Sequence, residues 1–134
     1  MIYLLDTNVL SALRRPERAG GVLRWLAGRA EGELFLSVIT IGEIERGIAR
    51  QEGVNPAFAA DLRRWLDVTV GSFGDRILDF DAGAARIWGR LSARLGHSGA
   101  DLLIAATALA RGAVVVTGNV ADFAPTGVRV VNPF

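Results

Sequence analysis

The sequence predicts an α/β fold, a parallel sheet covered on both faces by helices, and three observations point there. Residues 2–5, 34–38 and 113–117 are short apolar runs without polar alternation, the pattern of strands buried on both faces. Between them lie stretches whose apolar residues recur at spacings of three and four, the helical period. Residues that cap or break helices stand at the junctions. Strands that alternate with helices pair in parallel through crossovers.

The elements follow in order. After the first strand, Asp6 precedes a short helical stretch, Val9 to Leu13. Residues 17–30 read as a helix with Pro16 before it and Val22, Leu23, Trp25 and Leu26 on its apolar side. The second strand is 34–38, and a helix opens at Thr40 with Ile41, Ile44 and Ile48 on one face. Asn55 and Pro56 suit the cap and first position of a helix over 57–68. A turn at 71–74 leads to a short strand at 77–80. Asp81 caps a helix to about Leu95, along which Arg86, Arg90 and Arg94 line up. Residues 96–99 break it, and 100–110 form an apolar helix with one acid, Asp101. The strand at 113–117, one helical turn at 120–123 and a strand at 128–131 close the chain.

Length and composition set bounds. A chain of 134 residues suits one domain, here 1–134, which buries roughly two thirds of its unfolded surface. No cysteine is present, so disulfides and thiolate metal sites are excluded and a reducing cytoplasm is the expected compartment. No signal peptide or membrane span is expected, because the first apolar run is too short and lacks a basic lead. All fifteen basic residues are arginine. Arginine suits forked phosphate contacts, although a high-GC genome produces the same bias. The absence of lysine excludes P-loop and Schiff-base chemistry.

Four acids share a kind of position. Asp6 follows a strand and opens a helix; Glu43, Asp101 and Asp122 fall near helix starts. In a doubly wound sheet such positions gather at the carboxyl edge, where ligands bind. Each acid also has a structural reading. Asp6 is a good N-cap; Thr40 with Glu43, Ser98 with Asp101 and Asn119 with Asp122 each fit a capping box or a looser form of one. Acids converging at a buried edge repel one another and hold their protons more tightly. A divalent cation relieves that repulsion, and an all-oxygen ligand set suits Mg²⁺ or Mn²⁺ rather than Zn²⁺.

Several motifs run in series: Leu5-Asp6-Thr7-Asn8-Val9, Thr40-Ile41-Gly42-Glu43-Ile44, Ala100-Asp101-Leu102-Leu103-Ile104-Ala105-Ala106-Thr107-Ala108, Val116-Thr117-Gly118-Asn119-Val120-Ala121-Asp122-Phe123, and the closing Val131-Asn132-Pro133-Phe134. Over the whole chain and in this order they resemble the PIN-domain ribonucleases, and within them VapC toxins of the FitB-like type, from bacterial toxin–antitoxin pairs. The resemblance implies a three-layer α/β/α sandwich around a parallel sheet. It implies Mg²⁺- or Mn²⁺-dependent hydrolysis of RNA, of a tRNA or rRNA, leaving a 3′-hydroxyl and a 5′-phosphate. It also implies a VapB-like antitoxin as partner, and a homodimer. Asp6 and Asp101 match the family's central metal ligands, and Glu43 its helical acid. Asp122 is the expected fourth ligand, with Asn119 as the alternative or a water-positioner. Thr7 and Asn8 would orient Asp6. Gly118 departs from the motif, which commonly has arginine there.

Other candidates carry less. His97, the only histidine, lies in a Gly/Ser turn and is expected to be exposed. Trp25, Trp65 and Trp88 sit on apolar stripes and are expected in the core or a dimer contact. Arg46 and Arg50 could touch an RNA backbone, or Arg46 could pair with Glu43 or Glu45. Two other classes remain: a phosphatase using Asp6 as nucleophile, which usually needs an acid where Asn8 stands, and an inert partner-binding module.

Overall fold

The computed structural model describes residues 1–134. Its centre is a five-stranded, all-parallel sheet in the order β3-β2-β1-β4-β5. The strands are β1 (Tyr3–Leu5), β2 (Leu34–Ser37), β3 (Ile77–Leu78), β4 (Val114–Val116) and β5 (Val130–Val131). The helices are α1 (Thr7–Ala12), α2 (Gly20–Ala27), α3 (Val38–Glu52), α4 (Pro56–Phe73), α5 (Ala82–Leu95), α6 (Ala100–Arg111) and α7 (Val120–Phe123). No helix is long and apolar enough to cross a membrane.

Strand alternation divides the core in two. Leu4 and its partner Val115 point to one face, against Leu91 of α5, Ile104 of α6 and Phe123 of α7. Leu5 and its partner Val116 point to the other, with Leu36, against Val9 and Leu10 of α1 and Val22 of α2. A smaller cluster of Ile48, Ala59 and Leu66 joins α3 to α4. The central strands are buried on both sides, as their unbroken apolar runs require.

From β1 the chain steps to β2 and β3 on one side, then crosses back to lay β4 and β5 on the other. The strand order therefore reverses between β1 and β4. Their carboxyl ends, Asp6 and Thr117, lie beside a crevice of the type that takes ligands in open α/β sheets.

The first helix starts earlier than read, at Thr7, the strands read at 77–80 and 128–131 shrink to two residues each, and three further boundaries differ for reasons that can be named. Residues 17–30 are not one helix: Pro16–Arg18 form a 3-10 turn and α2 starts only at Gly20. Paired glycines are weak helix formers, and Gly21 is needed for space, since a Cβ there would lie 2.9 Å from the Pro133 carbonyl oxygen. Helix α4 continues through Gly71 to Phe73, because Val70 and Phe73 still have apolar surface to pack against; Gly74, at φ 58°, ends it. Helix α3 starts at Val38, with the Ser37 hydroxyl accepting from the Ile39 amide at 3.0 Å. Glu43 is thus in the second turn of α3, not the first.

Candidate active site

The four acids come from four elements and line one cavity of about 730 Å³ at the reversal point of the sheet. Asp6 follows β1, Glu43 lies on α3, Asp101 on α6 and Asp122 on α7. Thr7, Asn8 and Asn119 line the same cavity, as do Ser11, Ala100, Ile104 and Phe123. All the sequence-derived candidates are therefore brought together, and no basic side chain of the chain lines the cavity.

Asp6 is the most constrained. It is 6% exposed. Its Oδ1 accepts from the Thr7 amide at 2.8 Å, and its Oδ2 from the Thr117 hydroxyl at 2.7 Å. Asp6 is therefore a true N-cap of α1, yet each oxygen keeps lone-pair capacity toward the cavity. Burial raises its carboxyl pKa; the two hydrogen bonds pull it down, and the nearby charges of Asp101 and Asp122 push it up again.

The capping reading fails for the other three. The Thr40 hydroxyl is buried 3.3 Å from that of Thr7, and Thr7 donates to Glu43 Oε1 at 2.7 Å. Glu43 is thereby tied to α1 rather than to the start of its own helix. Helix α6 begins after Gly99, and no side chain caps it. Asn119 precedes α7 and makes no side-chain cap either. None of the three serves in a capping box, although Asp101 and Asp122 do stand in the first turns of their helices, where an acid complements the helix dipole.

Sequence reasoning gave no role to Thr117 or Ser11 and read Thr40 only as part of a capping box. Thr117 is fully buried and is the hub of the β1–β4 edge. It donates to Asp6 and accepts from the Asn119 amide at 2.9 Å and the Asn8 side-chain amide at 3.3 Å. Only strand adjacency reveals it. Ser11 stands one helical turn after Thr7, and that spacing was the available signal. Other candidates resolve plainly. His97 is exposed, its Nδ1 accepting from the Gly99 amide at 3.3 Å. The three tryptophans are half-buried against the core. Arg46 pairs with neither acid; Glu45 pairs with Arg63 at 3.1 Å.

The donor set suits a hard cation: carboxylate, hydroxyl and amide oxygens around a charge-rich crevice. Asp6, buried and facing two further carboxylates, is the group whose charge a cation would relieve. The acids share the cavity without converging, since no three of them lie close enough to grip one ion as the side chains stand.

Gly99 bears on that geometry. Its φ of −61° and ψ of 162° are open to any residue. A Cβ there would nonetheless lie 2.7 Å from Asp101 Oδ1. Gly99→Ser should therefore leave the melting temperature unchanged or slightly higher, serine being the better cap. It should slow the RNA cleavage that the resemblance implies about tenfold, by turning the Asp101 carboxylate away. Melting curves beside a cleavage assay check this; equal activity would mean that the Asp101 position is not critical.

A parallel α/β sandwich with four carboxylates around one crevice at its strand reversal defines a class of protein with a ligand site at the carboxyl edge of its sheet. Comparison with known proteins narrows the class. The family model for the PIN domain matches residues 3–124, and the chain belongs to that family. It is 34% identical to the VapC ribonuclease Y4jK of Sinorhizobium fredii, over 99% of this chain and 98% of that one. It is 33% identical to toxin FitB of Neisseria gonorrhoeae, over 99% of both. The crystal structure of FitAcB from the same organism superposes with a TM-score of 0.85 at 33% identity, covering 98% of each chain.

Proposed function

We propose that the chain is a divalent-metal-dependent endoribonuclease, the toxin of a toxin–antitoxin pair, acting in the cytoplasm as one PIN domain over residues 1–134. The observation that carries this reading is the cavity itself. Four carboxylates on four elements share it, and the chain supplies no cation to balance them. Full-length likeness to a VapC ribonuclease and to toxin FitB supports the same activity.

Asp6, Glu43, Asp101 and Asp122 would hold Mg²⁺ or Mn²⁺, with Asn119 as an alternative oxygen ligand. When bound, the ion supplies an activated water and stabilises charge on the scissile phosphate. The chain's own residues position and orient. Thr117 and the Thr7 amide fix both oxygens of Asp6, and Thr7 holds Glu43 toward the same crevice. Asn8 and Asn119 both donate to Thr117, which ties the β1 and β4 sides of the crevice together. Hydrolysis of an RNA phosphodiester would leave a 3′-hydroxyl and a 5′-phosphate. A VapB-like antitoxin would silence the site by offering a cation, best an arginine, to the same acids. The likeness to FitAcB supports a protein partner. A second copy of the chain completes the proposed assembly.

The test is cleavage of total tRNA and rRNA by antitoxin-free protein, with Mg²⁺ and with EDTA. Cleavage is expected only with the metal. Ready hydrolysis of p-nitrophenyl phosphate with RNA spared would favour the aspartate-nucleophile phosphatase. No cleavage and no Mn²⁺ binding by calorimetry would leave an inert binding module.

A further inference from the structure

Phe134 is an exposed residue whose aromatic ring lies against Gly118, the neighbour in sequence of the cavity-lining Asn119. It is held there by a fitted seat. A Cβ on Gly118 would lie 2.9 and 3.0 Å from two ring carbons, so the ring rests directly on that glycine's backbone. The Asn8 side-chain nitrogen is 3.6 Å from the same point. On the other side, a Cβ on Gly21 would lie 2.9 Å from the Pro133 carbonyl oxygen and 3.1 Å from the Phe134 carbonyl carbon. The Phe134 amide donates to Asn132 Oδ1 at 3.0 Å, and Pro133 is buried. Gly21, an Asx-type turn and the buried proline thus hold the Phe134 backbone, and Gly118 seats its ring. The residue presents surface to solvent.

The neighbours say what that surface is for. Gly118 is followed by Asn119, and Asn8 bonds the Gly118 amide at 3.4 Å; Asn8 and Asn119 both line the carboxylate cavity. No arginine lines that cavity to grip a phosphate. Single-stranded RNA is commonly held by stacking its exposed bases on aromatic side chains, and this needs no charge. We infer that Phe134, seated on Gly118, is a stacking platform for an unpaired nucleobase of the RNA substrate next to the scissile phosphate. This inference rests on the ribonuclease reading.

The experiment uses an RNA oligonucleotide built around a cleavage site mapped on total tRNA or rRNA. Phe134→Leu keeps apolar contact with Gly118 but removes the aromatic face; Phe134→Trp enlarges it. The leucine variant should raise KM about tenfold with kcat nearly unchanged, and the tryptophan variant should match or improve on the parent. The KM ratio should be the same at low and high salt, because stacking releases no counterions. Replacing the flanking nucleotide by an abasic sugar should weaken the parent but not the leucine variant. An unchanged KM in Phe134→Leu, or an equal abasic penalty in both proteins, overturns the platform. So does a leucine variant whose only change is loss of self-association or of antitoxin binding, which would assign the ring to a protein contact. Fluorescence anisotropy of the oligonucleotide in Ca²⁺ separates the two readings. A chain that cuts no RNA loses the nuclease assignment, and with it the placement beside a scissile phosphate; about tenfold weaker binding of an unstructured RNA oligonucleotide by Phe134→Leu then still supports base stacking on the ring, and equal binding overturns it.

Discussion

Asp6→Asn should lower RNA cleavage by on the order of 10³-fold and, in EDTA at neutral pH, make the protein harder to melt. The first effect follows if Asp6 is a metal ligand. Charge stabilisation by a bound ion is worth several kcal/mol, and each 1.4 kcal/mol is about a factor of ten. The second follows from burial. Asp6 is 6% exposed and its carboxyl pKa is raised, first by desolvation and further by Asp101 and Asp122. The sign is fixed by linkage. A carboxyl that binds its proton more tightly when folded contributes its full stability below its unfolded pKa, and that contribution is lost as pH rises through the folded pKa. At neutral pH the metal-free protein therefore carries a charge that the fold disfavours. Asparagine removes it and keeps one of the two local bonds, since its carbonyl can accept from the Thr7 amide or the Thr117 hydroxyl while its NH2 faces the other donor; relief of the buried charge is expected to outweigh the bond lost. The stability gap between variant and parent should narrow as pH falls. Melting curves in EDTA from neutral to mildly acid pH, beside a cleavage assay, measure both. A variant that melts lower at neutral pH sinks the burial argument, and one that cuts RNA normally removes Asp6 from the machinery.

Much of this architecture was legible in the sequence, for physical reasons that can be named. Residues 2–5 and 113–117 read as strands because a strand buried on both faces has no polar alternation to confuse it with a surface element. The resulting sheet is all-parallel, as the alternation of strands and helices implied. Asp6 was legible as a cap because capping is local, and it does accept from the next amide. The capping boxes proposed for Glu43 and Asp101 were also local arguments, and they failed. Helix α3 starts two residues before Thr40, and Thr40 spends its hydroxyl against Thr7 across the sheet edge. Tertiary contact decided which short-range option was used. Thr117 stood inside one of the motifs, but its role was not legible. Its partner Asp6 is 111 residues away, and nothing near either residue announces that β4 lies beside β1.

That hidden residue carries the second large expectation. Thr117→Val should weaken Mn²⁺ binding and slow RNA cleavage by about 10–100-fold, the usual cost of removing a group that orients a metal ligand. The threonine hydroxyl is used to capacity, donating once to Asp6 and accepting from Asn119 and Asn8. Valine keeps the shape and removes all three bonds. In EDTA at neutral pH the loss of a hydrogen bond to a buried carboxylate should cost about 1.5–3 kcal/mol of stability, read from urea unfolding. Thr117→Ser, which restores the hydroxyl, should recover most of both losses. The Asp6→Asn background then distinguishes two routes. If Thr117 acts by steadying the Asp6 charge, Thr117→Val should be much less harmful once that charge is gone, and the two substitutions will be strongly non-additive. If it costs as much there as in the parent, the hydroxyl matters instead as the link that holds Asn8 to Asn119 across the β1–β4 edge. The crevice would then owe its shape to that bridge rather than to the carboxylate it surrounds.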